Sequence, residues 1–427
     1  MEGRRVLRSL TLKNILSFGP DGQTLDLQPL NVLIGPNGSG KTNLIEVLNL
    51  IHVLPNKDYF SKFLSDAGGI SEWIWKGEGG EPHLFIESEW ENATGRPLHH
   101  ALALGVEGLK PQVIDEKIDD KKIKPRMLGE VISQEEEKGV EEVLYWFSSH
   151  EGDRQINVPN GLKTDRSILA QRREPGSPEV YDLQDRFSEI HFYRNWTFGP
   201  RSPVRSPQRA DRPGDFLEED ALNLGLILNG LSFDRRAKET LLENLRRVYG
   251  GASDIRVNVV AGYVELFIIE DDRRAIPADR LPADPATAGP ATSLTIHFTL
   301  VPRRPIPAMR LSDGTLRYLS LLAILCHPAP PPLICIEEPE LGLHPDLIPT
   351  IAKLLIDASQ RTQLIVTTHS TELVSALWEH PESVVVCERR FGPTTFERLE
   401  PEKLRKWLEK YSLGELWSMG EIGGNRW

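Results

Sequence analysis

Eight consecutive residues, Gly35-Pro36-Asn37-Gly38-Ser39-Gly40-Lys41-Thr42, carry the spacing GxxxxGK[ST]. Glycines at those places let a loop wrap a phosphate closely, aiming backbone N–H groups and a helix N-terminus at it. Lys41 supplies a point charge for β- and γ-phosphates and Thr42 a hydroxyl for Mg²⁺, with Asn43 counted as the end of the cradle. A glycine-rich turn with a chance lysine would lack the context found here. The loop follows the apolar run LNVLIG and opens a stretch in which Leu44, Ile45, Val47, Leu48 and Ile51 form one apolar stripe. These residues predict a nucleotide site.

Three further groups fit the same chemistry. In LICIEEPE, four apolar residues carry Glu337 and Glu338 to the end of a buried strand, where ligands bind in open α/β sheets. The first acid can hold Mg²⁺ through water, and the second can polarise an attacking water as general base. Two adjacent carboxylates there are costly without a metal or another partner. In Leu311-Ser312-Asp313-Gly314-Thr315, the Ser312 hydroxyl and Gly314 precede an amphipathic helix whose N-terminus favours an anion. QLIVTTH is a buried strand ending in His369, placed to touch a γ-phosphate. Alone it would read as an ordinary strand-end histidine.

The elements that must hold these residues are legible as patterns. LRSLTLKN alternates as a half-buried strand, and TLDLQPLNVLIG ends in a run buried on both faces. HLFIESEW, HHALALGV and EVLYWFSS are candidate strands, with the charged stretch Asp115 to Gly139 read as a solvated arm or loop. Residues 150–215 are rich in Pro, Gly and Arg. Residues 216–250 read as helices, DIRVNVVAGYVELFIIEDD as a hairpin, and Ala275 to Thr292 as a surface loop. From Ser293 apolar strands alternate with amphipathic helices (SLTIHFTLV, TLRYLSLLAILC, PLICIE, DLIPTIAKLLIDAS, QLIVTTH, TELVSALWE, SVVVCER), the signature of a parallel α/β sheet. The simplest fold joins this part to residues 30–53 as one domain interrupted by an insertion. No sustained heptad run predicts a long coiled coil.

Composition narrows the class. In 427 residues, 62 acids outnumber 50 Lys+Arg for a net charge of -12, so any nucleic-acid contact must be local. Hydrophobic content of 39% excludes wholesale disorder. Cys326, Cys335 and Cys387 form no CxxC pair, which fits a reducing cytoplasm and not a disulfide or structural-zinc framework. MEGRRVLRSLTLKN lacks the apolar core of a signal peptide, and no stretch reaches the ~20 apolar residues of a membrane span.

The order GPNGSGKT, LSDGT, IEEPELGLHP, TTH resembles the ABC-type ATPase superfamily, and within it the stand-alone RecF/SMC-like and OLD-like branch of anti-phage and DNA-repair systems. The likeness covers residues 1–53 and about 293–427 well and the centre poorly. It implies an α/β P-loop head: a mixed or parallel sheet with flanking helices, an antiparallel N-terminal β subdomain and a central α+β insertion. The expected divisions are 1–110 (lobe with Walker A), 111–292 (insertion) and 293–427 (lobe with signature, Walker B and switch histidine). Residue by residue, it implies that Gly35 to Thr42, with Asn43, hold ATP, that Ser312 and Gly314 lie in the signature loop, and that Thr42 and Glu337 hold Mg²⁺. Glu338 would be the catalytic base and His369 the switch histidine. Glu337 replaces the commoner aspartate, Asp313 the usual glycine, and Leu343-His344 the Leu-Asp of transporters.

The resemblance also implies a homodimer in which Ser312 of one chain faces ATP held by Lys41 of the other. A separate effector, a nuclease, is expected: about 58 residues follow His369 and hold no DxD cluster, too few for a Toprim domain. The run RNWTFGPRSPVRSPQRADR (Arg194, Arg201, Arg205, Arg209, Arg212) and VPRRPIPAMR (Arg303, Arg304, Arg310) suit phosphate-backbone contact, as in a RecF-like ATPase on duplex DNA. They suit pairing with the acidic surplus equally. An importer subunit is disfavoured by EPExxLHP. The tail SLGELWSMGEIGGNRW reads as a strap on its own head or as a docking segment.

Overall fold

The computed structural model describes residues 3–92, 97–108, 110–119, 144–147, 163–171, 178–194, 196–271, 303–389 and 392–424. Its strands are β1 (Leu7–Lys13), β2 (Gln23–Asp26), β3 (Leu30–Ile34), β4 (Leu84–Trp90), β5 (Leu98–Glu107), β6 (Lys110–Asp119), β7 (Leu144–Phe147), β8 (Ile190–Tyr193), β9 (Gln208–Arg209), β10 (Ala252–Val260), β11 (Tyr263–Asp271), β12 (Arg303–Pro307), β13 (Leu333–Glu337), β14 (Gln363–Thr367), β15 (Val384–Glu388) and β16 (Thr395–Arg398). The helices are α1 (Lys41–Val53), α2 (Phe60–Asp66), α3 (Ile70–Trp73), α4 (Ile168–Gln171), α5 (Pro178–Ser188), α6 (Leu224–Phe233), α7 (Arg235–Val248), α8 (Asp313–Leu325), α9 (Ile348–Ser359), α10 (Thr371–Ser375), α11 (Pro401–Leu408) and α12 (Leu413–Met419). They fall into two compact units: Met1–Arg194 with Pro331–Glu340 and Ile351–Trp427, and Asn195–Pro330 with Leu341–Thr350.

The first unit holds a six-stranded sheet in the order β16-β15-β3-β14-β13-β8. The five strands from β15 to β8 are parallel, and β16 closes one edge antiparallel. Both β3 and β14 are buried at every position, which is why their sequences are mostly apolar and do not alternate. Beside it stands the sheet β2-β1-β4-β5-β6-β7, antiparallel except for the β6–β7 pair. One apolar core joins the two sheets through Leu10, Ile45, Leu48, Ile86, Trp90, Phe187 and Ile365. The second unit is a small antiparallel sheet, β10-β11-β12 with β9 on β11, packed by α6 and α7. The longest helix among the described residues, α7, has 14 residues.

Two stretches differ from the sequence reading. Lys110 to Asp119, which includes the start of the charge run from Asp115, is strand β6 and not a solvated arm. Its Glu116 is 1% exposed and sits 2.9 Å from His100 Nε2 while accepting from Ser167 Oγ (2.6 Å) and the Ile168 N–H (2.7 Å). Paired this fully, a carboxylate is tolerated inside a sheet. The Arg-rich centre also contains β8, which lies parallel to β13 at the sheet edge, so the central region contributes a strand to the mainly parallel sheet. Residues 120–139, the Ala275–Thr292 loop and the SLTIHFTLV strand lie outside the described residues.

Candidate nucleotide site

β3 ends at Ile34 and the glycine loop turns at once into α1. Gly35 has φ 144°, and a Cβ there would lie 2.2 Å from the Cys387 carbonyl oxygen. Gly40, at φ 103°, caps α1; a Cβ on it would strike Thr394 Oγ1 at 2.5 Å and Ser17 Oγ at 2.9 Å. Only glycine fits either place. Lys41 is 6% exposed, and its Nζ donates to the Gly35 (2.7 Å) and Pro36 (3.0 Å) carbonyls. Burial holds its pKa below the usual lysine value, against the raising effect of Cys387 and Glu338. Asn37, Gly38 and Thr42 are exposed at the mouth, whereas Ser39 Oγ is buried without a hydrogen-bond partner.

β14 lies between β3 and β13, so the C-terminal ends of the three strands meet at one edge. Glu337 is the last residue of β13, opposite Thr367. Glu338 then adopts φ 46° and donates its N–H to the Thr367 carbonyl at 2.9 Å. His369 Nε2 stands 3.7 Å from Glu338 Oε1. Burial, and next the charge of Lys41, push the His369 pKa down, opposed by Glu338 and Glu340. The imidazole is therefore neutral at neutral pH, able to donate one proton and accept one.

The structure thus brings Gly35 to Asn43, Glu337, Glu338 and His369 together. Ser312 and Gly314 belong to the second unit. Ser312 caps α8, its hydroxyl accepting the Thr315 N–H at 3.0 Å and lying 2.8 Å from Thr315 Oγ1. Gly314 is pressed against the Gly342 carbonyl, 3.0 Å from an added Cβ, so the turn after the acid pair backs the serine turn. Asp313 forms an ion pair with Arg205, whose guanidinium also donates to the carbonyls of Gly199 (2.9 Å) and Leu311 (2.5 Å).

Other arginines of the run are paired as well: Arg194 with Glu46 (2.6 Å), Arg209 with Asp211 (2.5 Å) and Arg212 with Glu218 (2.6 Å). Arg201 is exposed. Of the two readings of this run, the geometry favours pairing with the acidic surplus.

Sequence reasoning missed several neighbours of the site. Glu340 Oε1 accepts from Thr368 Oγ1 (2.6 Å) and from the His369 N–H (3.0 Å), fixing the turn that carries His369; its place two residues past the acid pair was the available signal. Thr394 donates to the Ser39 carbonyl (3.0 Å) and Ser17 Oγ (2.8 Å), a contact across some 350 residues that no local pattern announces. A recess of about 330 Å³ beside Asn43 is walled by Leu16, Ser17, Ile74, Trp75 and Arg389, with the Arg389 guanidinium 5.7 Å from the Trp75 ring centre.

A family model described as "AAA domain, putative AbiEii toxin, Type IV TA system" matches residues 176–375, and one described as "AAA domain" matches 9–159. Among solved structures, an SMC head bound to the C-winged helix domain of ScpA is 14% identical with a TM-score of 0.52, covering 94% of this chain and 100% of that one. An Smc head domain with an extended coiled coil, bound to the C-terminal domain of ScpA and derived from Pyrococcus furiosus, is 13% identical with a TM-score of 0.51, covering 95% and 99%. No curated protein matches the chain. The fold is that of an ABC-type ATPase head. AAA-domain models thus match both ends of the fold, the build is that of an SMC head, and the chain is an ATP-hydrolysing enzyme. No helix among the described residues is long and apolar enough to cross a membrane.

Proposed function

We propose that this ATPase is a dimeric switch in which two copies close on ATP, hydrolysis parts them, and a separate effector, a nuclease, reads the state in anti-phage defence or genome maintenance. The convergence of the glycine loop, Glu337, Glu338 and His369 on one sheet edge carries this reading. Lys41 would exchange its two loop carbonyls for phosphate oxygens, and the orphaned Ser39 hydroxyl and the exposed α1 N-terminus offer further donors. Glu338 would take the proton of the attacking water, with neutral His369 orienting the γ-phosphate. The Thr42 hydroxyl and the Glu337 carboxyl are hard oxygen donors suited to Mg²⁺. When bound, that ion neutralises charge on the β- and γ-oxygens. The Trp75–Arg389 recess beside Asn43 offers the adenine ring of ATP an aromatic wall.

Likeness supports the partner: the matching family model is that of a putative toxin of a type IV TA system, and the similar SMC heads are bound to ScpA domains. The dimer is tested by light scattering of Glu338→Gln. Its mass should double with ATP, and a monomer that binds ATP yet keeps its mass refutes the switch. Direct binding of duplex DNA through the heads is the second reading, favoured by exposed Arg201. It requires ATP-stimulated, salt-sensitive binding that Arg201→Glu weakens.

A further inference from the structure

The C-terminal segment touches both walls of the site. At one end Ser412 caps α12 in a capping box with Glu415. The Gly414 N–H donates to Ser375 Oγ at 3.2 Å, and Ser375 Oγ lies 3.3 Å from Ser412 Oγ. A Cβ on Gly414 would fall 2.2 Å from the Thr371 carbonyl oxygen, so α12 crosses α10 at backbone contact two residues beyond His369. At the other end the Gly424 N–H donates to Glu388 Oε1 at 2.6 Å, and the Gly424 carbonyl accepts from buried Trp417 Nε1 at 3.2 Å. A Cβ on Gly424 would lie 3.5 Å from Gly35 Cα, the first residue of the phosphate loop. Glu388 follows Cys387, whose carbonyl is the surface against which Gly35 is pressed.

We infer that residues 412–424 form a strap that positions the phosphate loop and the His369 turn together, with Glu388 as the positioning residue that fastens it beside Gly35. A cavity of about 430 Å³ adjoins the strap, lined by Glu388, Arg398, Trp407, Leu416, Ile422 and Gly423. An ordered Gly35 keeps the loop N–H groups aimed at one point, and a released strap lets them diverge. Nucleotide binding and strap closure therefore favour each other, and by reciprocity the bound nucleotide tightens the strap.

The inference rests on the reading that Gly35 to Thr42 hold the nucleotide, and full-length variants separate the two. A fluorescent ATP analogue is titrated into wild type, Lys41→Ala, Glu388→Ala and Glu388→Gln, and amide hydrogen exchange of residues 412–424 is followed with and without ATP. Glu388→Ala should bind about tenfold more weakly, the effect of one lost charge-assisted hydrogen bond. Glu388→Gln, which keeps an acceptor oxygen, should stay within about twofold of wild type. ATP should slow exchange in the strap of wild type and not of Glu388→Ala. Unchanged binding in Glu388→Ala, or exchange indifferent to ATP, overturns the strap. Full binding by Lys41→Ala overturns the nucleotide site instead. Should Glu388→Ala melt early, Ser375→Ala carries the test from the other end, where kcat should fall and nucleotide affinity weaken by a smaller factor than at Glu388; unchanged kcat and affinity refute the strap.

Discussion

Glu338 combines an acid's chemistry with a backbone that few acids adopt. At φ 46° it departs from the direction of β13, which aims its carboxylate at His369 and not along the strand. Left-handed backbone at a non-glycine residue costs on the order of 1 kcal/mol, and such strain gathers at working sites. Glu338→Gln keeps the backbone and the shape while removing the proposed base, so kcat for ATP hydrolysis should fall by about 10² to 10⁴ with little change in nucleotide affinity. A steady-state assay paired with equilibrium binding checks this; equal losses in kcat and affinity would make Glu338 a binding group. The acid pair was legible because two carboxylates at the end of a buried apolar run are too costly to keep there without a cation or a reacting water to face. The turn in its backbone, and the grip of Glu340 on the His369 N–H, were not, since both follow from where β13 and β14 end relative to each other.

Among the elements, β3, β13 and β14 announced themselves by apolar stretches without alternation, whereas β8 hid. Its four residues, IHFY, carry a histidine and run into an arginine-rich stretch, so composition masked an edge strand that only its pairing with β13 reveals. β6 hid for the opposite reason: its charges looked solvated, yet Glu116 is satisfied internally by His100 and Ser167. The β8 edge leaves a measurable trace. Burial, helped by nearby His52, pushes the His191 pKa from 6.5 down to about 4, and burial also lowers that of His52, which bonds the Phe187 carbonyl. Between those two pH values an unfolded chain protonates His191 and the folded one does not. The stability present above pH 6.5 is therefore lost as the pH falls toward 4, by on the order of 3 kcal/mol for His191. Melting curves from pH 7 to 4.5 should show a smaller loss of Tm in His191→Gln than in wild type. Parallel curves would mean that β8 is already protonated or solvated.

At the scale of the whole molecule, the groups expected to surround ATP lie on different units of the chain: Lys41, Glu338 and His369 on one, Ser312 and Gly314 on the other. A two-fold dimer can complete each site with the partner's serine turn, and it makes a prediction that a self-sufficient monomer does not. Lys41→Ala removes the phosphate grip but leaves Ser312 intact. Ser312→Arg fills the serine turn but leaves Lys41 intact. Each variant alone should be inactive, because both sites of its homodimer lack one part. Mixed in equal amounts, they form hybrid dimers in which one site joins intact Lys41 to intact Ser312 while the other loses both. With random exchange about half of the dimers are hybrids carrying one good site in two, so activity should return to about a quarter of wild type. The two copies must close against their own net charge of -12 each, so exchange belongs near 0.15 M salt, where that repulsion is screened beyond ~8 Å. An inert mixture, or a Ser312→Arg protein fully active by itself, would mean that each chain completes its own site, and the switch would lose its mechanism.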